Sequence, residues 1–131
     1  MCIRDSNTTL TPATKTHQKY IEVMYRRGYT KGCLATTDAV RRYCPSDNLT
    51  RGQMAVFLIR GRLSLTATDT FPFDTAASFS DVATTHPFYG FIQKMKELGI
   101  TSGCSATNYC PDAPTTRGQM AVFLIRAFFT P

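Results

Sequence analysis

The sequence predicts an all-α chain built as two copies of a helix-loop-helix unit, and three observations predict it. The eleven residues Thr-Arg-Gly-Gln-Met-Ala-Val-Phe-Leu-Ile-Arg occur at 50–60 and again at 116–126. Chance does not supply that in so short a chain, so the chain is read as an internal repeat. Apolar side chains recur at helical spacing in two stretches of each copy. Start and stop signals for helices bound those stretches.

The flanks repeat as well. Gly28-Tyr29-Thr30-Lys31-Gly32-Cys33 matches Gly99-Ile100-Thr101-Ser102-Gly103-Cys104, and Tyr43-Cys44-Pro45 matches Tyr109-Cys110-Pro111. The upstream blocks are offset by 71 residues and the downstream blocks by 66, so the first copy carries five extra residues between its cysteines. A length change confined there marks the segment as a loop. The copies span residues 17–63 and 79–129, with a Thr-, Ser- and Ala-rich connector at 64–78. Residues 1–16 stand apart. Met-Cys-Ile-Arg-Asp-Ser back-translates to a sequence resembling a transposon-end adapter, so residues 1–6 are read as adapter-derived, the rest of this stretch as a truncated segment.

In the second copy the first helix is signalled by Phe88, Phe91, Ile92 and Met95 at i, i+3, i+4 and i+7, with Leu98 behind them. Pro87 suits a first turn and Gly99 a C-terminal cap. Tyr20, Ile21, Met24 and Tyr25, ended by Gly28, form a weaker version in the first copy. A cysteine-bearing loop follows each. The second helix opens on Thr50-Arg51-Gly52-Gln53 and Thr116-Arg117-Gly118-Gln119, each read as a capping box. Met54, Phe57 and Leu58, and Met120, Phe123, Leu124, Ala127 and Phe128, form its buried stripe; Val56 and Ile59 widen it, so the helix is expected at the centre. Phe71-Pro72-Phe73 is expected to dock on the core.

Units of this size are marginal alone and should pack on each other. The composition is that of a soluble globular chain, and the longest apolar run, residues 54–59, is far too short to span a bilayer. The net charge of +6 is uneven, with +7 on residues 15–62 and −1 on residues 63–131. A basic first unit suits an anionic partner, or is simply a solvated face. No basic stretch interleaved with aromatics points to nucleic acid.

Setting Cys2 aside with the adapter, four cysteines remain, one pair per copy. Four cysteines allow three connectivities, and the duplication favours local bridges, Cys33–Cys44 and Cys104–Cys110. Each would add roughly 2–3 kcal/mol in the chain-entropy model. A four-cysteine zinc site is the competing reading, but gaps of ten and five residues exceed the usual ligand spacing. Bridges imply an oxidising location outside the cytosol.

Arg51 and Arg117 are the leading site candidates. Each lies in the first turn, where a cation is unfavourable against the helix dipole. Beside free helix N–H groups it can hold a carboxylate or phosphate. Gly52 and Gly118 would let a ligand approach the backbone. The competing reading is an arginine whose stem covers apolar surface. His17 and His86 fall at unmatched positions, and no catalytic triad, calcium loop or phosphate loop is present. Nothing argues for catalysis, a metal or a cofactor.

Phe79-Ser80-Asp81-Val82, Phe91-Ile92, Leu98-Gly99-Ile100-Thr101-Ser102-Gly103, Pro111 and Thr116-Arg117-Gly118-Gln119-Met120-Ala121 together resemble the S-layer homology domain. The first copy lacks the Phe-x-Asp-Val opening, Gln53 and Gln119 stand where many members carry Glu, and the paired cysteines are a variant. The resemblance implies tandem repeats packed as a helical bundle, usually in threes, with disulfide-stapled loops here. It implies a non-catalytic anchor at the cell surface or wall that binds an anionic, often pyruvylated, wall glycan. Arg51 and Arg117 would contact the sugar, with Gly32 and Gly103 near the groove and Asp81 capping the first helix segment. Replacing both arginines by Ala is then expected to cost most of the affinity for purified wall polymer and leave the melting temperature nearly unchanged. With two repeats present, an upstream third repeat or self-association would complete the assembly. The rival readings are a lattice-building protein–protein module and the anchoring appendage of an exoenzyme.

Overall fold

A computed structural model of the chain describes residues 12–30, 32, 43, 44 and 46–130. Those residues form four helices, α1 (Pro12–Arg26), α2 (Arg51–Leu63), α3 (Tyr89–Glu97) and α4 (Arg117–Phe128), joined by loops. The fold is all-α, and among the described residues the one ladder contact is an isolated bridge between Thr50 and Pro114. None of these helices is long and apolar enough to cross a membrane. The chain divides into two compact units, Met1–Asp47 and Asn48–Pro131. The division falls inside the first sequence repeat, so α2 packs with the second.

In the first unit, α1 buries Ile21 and half-buries Met24 and Tyr25, but Tyr20 is exposed. It thus falls outside the apolar face its spacing suggests. The helix ends at Gly28, where a positive φ of 72° lets the Tyr29 N–H reach back to the Met24 carbonyl at 2.9 Å. Gly99 ends α3 the same way, at φ 68°, with Ile100 N–H on the Met95 carbonyl at 2.9 Å. The loops that follow are equally matched. Thr30 and Thr101 each accept from a glycine N–H two residues on, Gly32 or Gly103, at 3.1 Å. Cys44 and Cys110 both take left-handed backbone, at φ 54° and 58°.

In the second unit α2 is central. Met54, Ala55, Leu58 and Ile59 are buried against Ile92 and Met95 of α3 and Phe123 and Ala127 of α4. Phe79, Val82, Tyr89, Ile100 and Tyr109 complete the core. The α4 stripe is only partly realised: Phe123 and Ala127 are buried, whereas Leu124 and Phe128 face solvent, as does Leu98. α3 begins at Tyr89 rather than at Pro87, with Phe88 in the cap position and no side-chain cap. The connector is held at its end by Gln93, which is buried. Its amide donates to the carbonyls of Asp74 and Ala76 and accepts from Ser78 N–H. Phe71 packs on Phe91 at 5.0 Å between ring centres, and Phe73 lies over Gly90.

Candidate functional site

Both capping boxes are complete. Thr50 Oγ accepts from Gln53 N–H at 3.2 Å while Gln53 Oε1 accepts from Thr50 N–H at 3.0 Å. Thr116 and Gln119 repeat the exchange at 3.1 Å in both directions. Each box leaves the next two helix N–H groups to find other acceptors. At α2 the protein supplies them: Arg51 N–H donates to the Ala113 carbonyl and Gly52 N–H to the Pro111 carbonyl, both at 2.8 Å. At α4 the N–H groups of Arg117 and Gly118 have no such partner among the described residues.

The two arginines differ accordingly. Arg51 is 4% exposed. Its Nε donates to the Tyr109 carbonyl at 2.8 Å, and the Tyr109 hydroxyl donates to the Arg51 carbonyl at 2.8 Å. The guanidinium lies over the rings of Tyr109 and Phe123, at 4.8 and 5.4 Å, which suits a cation in an apolar setting. Its Nη2 is buried with no hydrogen-bond partner among the described residues. Burial raises the Tyr109 pKa to about 12, against the opposing pull of the Arg51 charge. Arg117 is exposed.

The glycines divide the same way. A Cβ on Gly52 would sit 3.0 Å from the Phe88 ring and 3.2 Å from the Pro111 carbonyl oxygen, so the protein already fills the space expected for a ligand. Gly103, at φ 100°, is closed in by the Asn108 and Ser105 carbonyls and the Phe79 ring, and it shapes the loop rather than opening a groove. Gly118 has only Thr116 Oγ at 4.0 Å. Gly32 shares the positive φ of Gly103, at 89°.

What fixes Tyr109 is the loop around it. The Cys104–Cys110 disulfide closes that loop. Asp81 does not cap a helix. Its two oxygens accept from Tyr109 N–H at 2.8 Å and Cys110 N–H at 2.7 Å, holding the turn that the left-handed Cys110 makes. The carboxylate also lies near both sulfurs, but a bridged sulfur offers no thiolate to a metal. In the first unit Cys44 is disulfide-bonded, while Cys33, its expected partner, lies outside the described residues. The Tyr109 and Asp81 roles escape sequence reasoning because both act on residues distant in the chain. The visible trace of Tyr109 is the duplicated Tyr-Cys-Pro, and that of Asp81 is its place in Phe79-Ser80-Asp81-Val82.

Comparison with known proteins decides what kind of module this is. The S-layer homology domain family matches residues 78–121. The second repeat is an S-layer homology domain. Such a domain is a cell-surface anchoring module, not a catalytic one, and it places this chain in association with the cell surface or wall. An endoglucanase of Bacillus sp. (strain KSM-635) is 30% identical over 109 residues, covering 83% of this chain. The chain spans about 10% of that relative's length. No solved structure matches.

Proposed function

We propose that this anchoring module binds an anionic secondary cell-wall polysaccharide at the open N-terminus of α4. Arg117 is the ion-pairing donor, and the N–H groups of Arg117 and Gly118 belong to the same first helical turn. The observation that carries this reading is the pairing of an exposed guanidinium with unfilled helix N–H groups on a domain that associates with the wall. A carboxylate, such as that of a pyruvylated sugar, would accept from both and complement the positive end of the helix. Arg51 serves as a positioning residue that holds the Tyr109 loop.

Retention of the chain on purified wall polysaccharide tests this. Arg117→Ala should weaken retention about tenfold, the worth of one charge-assisted contact of about 1.4 kcal/mol. Added salt should weaken the wild type as well. Undiminished retention of Arg117→Ala would remove the assignment. The similarity to an endoglucanase favours a second reading, in which the module is the wall-anchoring appendage of an exoenzyme. The complete open reading frame tests it, by encoding a catalytic domain or none.

A further inference from the structure

The loop from Cys104 to Cys110 is tied down by more than its disulfide. Cys104 N–H donates to the Asn108 carbonyl and Ser80 N–H to the Thr107 carbonyl, both at 2.8 Å. The Asp81 carboxylate accepts from the N–H groups of Tyr109 and Cys110 at 2.8 and 2.7 Å. Both cysteines, 6.0 Å apart at Cα, are thus held by backbone bonds that do not involve sulfur. Opening the bridge leaves two thiols side by side rather than a slack chain.

Asp81 is the third group beside them. One of its carboxylate oxygens and the two sulfurs all lie within 4.8 Å of one another. Each carboxylate oxygen accepts one N–H and keeps a lone pair for a further partner. Two thiolates on tetrahedral zinc stand about 3.8 Å apart, since each Zn–S bond is about 2.3 Å. That spacing falls within the cluster once the sulfurs part. Asp81 and Cys104 are exposed and Cys110 is half-buried, so a reductant and a cation can reach them from solvent. The first copy offers no matching set, because the 71-residue offset puts Leu10 at the repeat position of Asp81.

We propose that the reduced Cys104–Cys110 pair and Asp81 form a site for a thiophilic divalent cation such as Zn2+, the metal replacing the disulfide as the staple of the loop. A dithiol opens the bridge by thiol–disulfide exchange. It gives two electrons and two protons and leaves as its own disulfide, while both cysteines become thiols. The cation then displaces the two thiol protons and takes two thiolates and one carboxylate oxygen, with water in the fourth position. Soft sulfur ligands select such an ion over Mg2+ or Ca2+. Either staple holds Tyr109, and with it the start of α2. Arg117 takes no part, so the site is independent of glycan binding.

Titration of the full chain with Co2+ tests the proposal, with Cys2, Cys33 and Cys44 replaced by Ser so that one cysteine pair remains. After reduction by a phosphine and its removal, the protein should take up one equivalent with thiolate-to-cobalt absorption. Zn2+ should displace the cobalt, and the oxidised protein should show no such absorption. Asp81→Asn should weaken uptake by more than about tenfold, the loss that removing even an outer-shell partner brings. Asp81→Cys distinguishes a metal ligand from a group that merely holds the loop. It should raise the thiolate-to-cobalt absorption by about half, as a third thiolate joins two. In the reduced wild type, Cys104→Ser with Cys110→Ser should remove one equivalent, a reading free of the replacements in the first unit. No uptake by the reduced protein, equal uptake by the oxidised protein or by Asp81→Asn, an Asp81→Cys spectrum of two thiolates, or no equivalent lost from the wild type would each overturn the proposal.

Discussion

One arginine in two environments carries most of the chemistry at the residue scale. Arg51 joins the start of α2 to Tyr109, 58 residues away, by reciprocal 2.8 Å hydrogen bonds. Arg51→Ala leaves the Tyr109 carbonyl buried without its charged donor and removes the cation from two rings. Urea denaturation should show a loss of about 2–4 kcal/mol, contrary to the unchanged stability expected from sequence for both arginines. The glycines separate likewise. Gly52→Ala should cost about 1–3 kcal/mol by overpacking against Pro111, whereas Gly118→Ala should be neutral or add about 0.4–1 kcal/mol. Tyr109 predicts an alkaline limit. Its pKa is raised from 10.0 to about 12 on folding, chiefly by burial. The unfolded chain therefore releases the phenolic proton first. The contribution is complete below pH 10 and is lost as pH rises towards 12, amounting to about 2–3 kcal/mol. Denaturation midpoints across that window should fall in the wild type and fall less in Tyr109→Phe.

At the scale of elements, the local signals were legible and the distant ones were not. Capping boxes, glycine helix ends and the Cys104–Cys110 bridge are written in residues a few places apart, so spacing reveals them. The Asp81 clamp joins residues 28 and 29 apart, and Gln93 holds a connector 15 to 19 residues upstream. Neither leaves a periodic trace. The apolar stripe of α4 misleads for a different reason: pattern specifies a surface suited to burial, not whether a partner covers it. The loop element makes its own prediction. Cys104→Ala with Cys110→Ala should lower stability by about 2–3 kcal/mol, through a less constrained unfolded chain. Asp81→Asn in that background should lower it further by removing the charged acceptor from two N–H groups.

At the scale of the whole molecule, repeats and compact units are out of register. The sequence repeats as first helix, cystine loop, second helix, while the packed second unit is a second helix covered by the next repeat. That offset leaves α2 enclosed and α4 open, and it assigns identical blocks to different work. The one at 50–60 organises the core, and the one at 116–126 offers a positive tip and an apolar face outward. A module of this kind can hold a protein at the wall without catalysis of its own.

The division of labour between the two blocks is the central claim, and parallel study of Arg51→Ala and Arg117→Ala tests it most directly. Melting temperature and retention on purified wall polysaccharide should be measured on the same samples, below both transitions. The account predicts that Arg51→Ala lowers the melting temperature and keeps retention, while Arg117→Ala keeps the melting temperature and loses retention. Equal effects of the two substitutions on either quantity, or the reverse assignment, would contradict it.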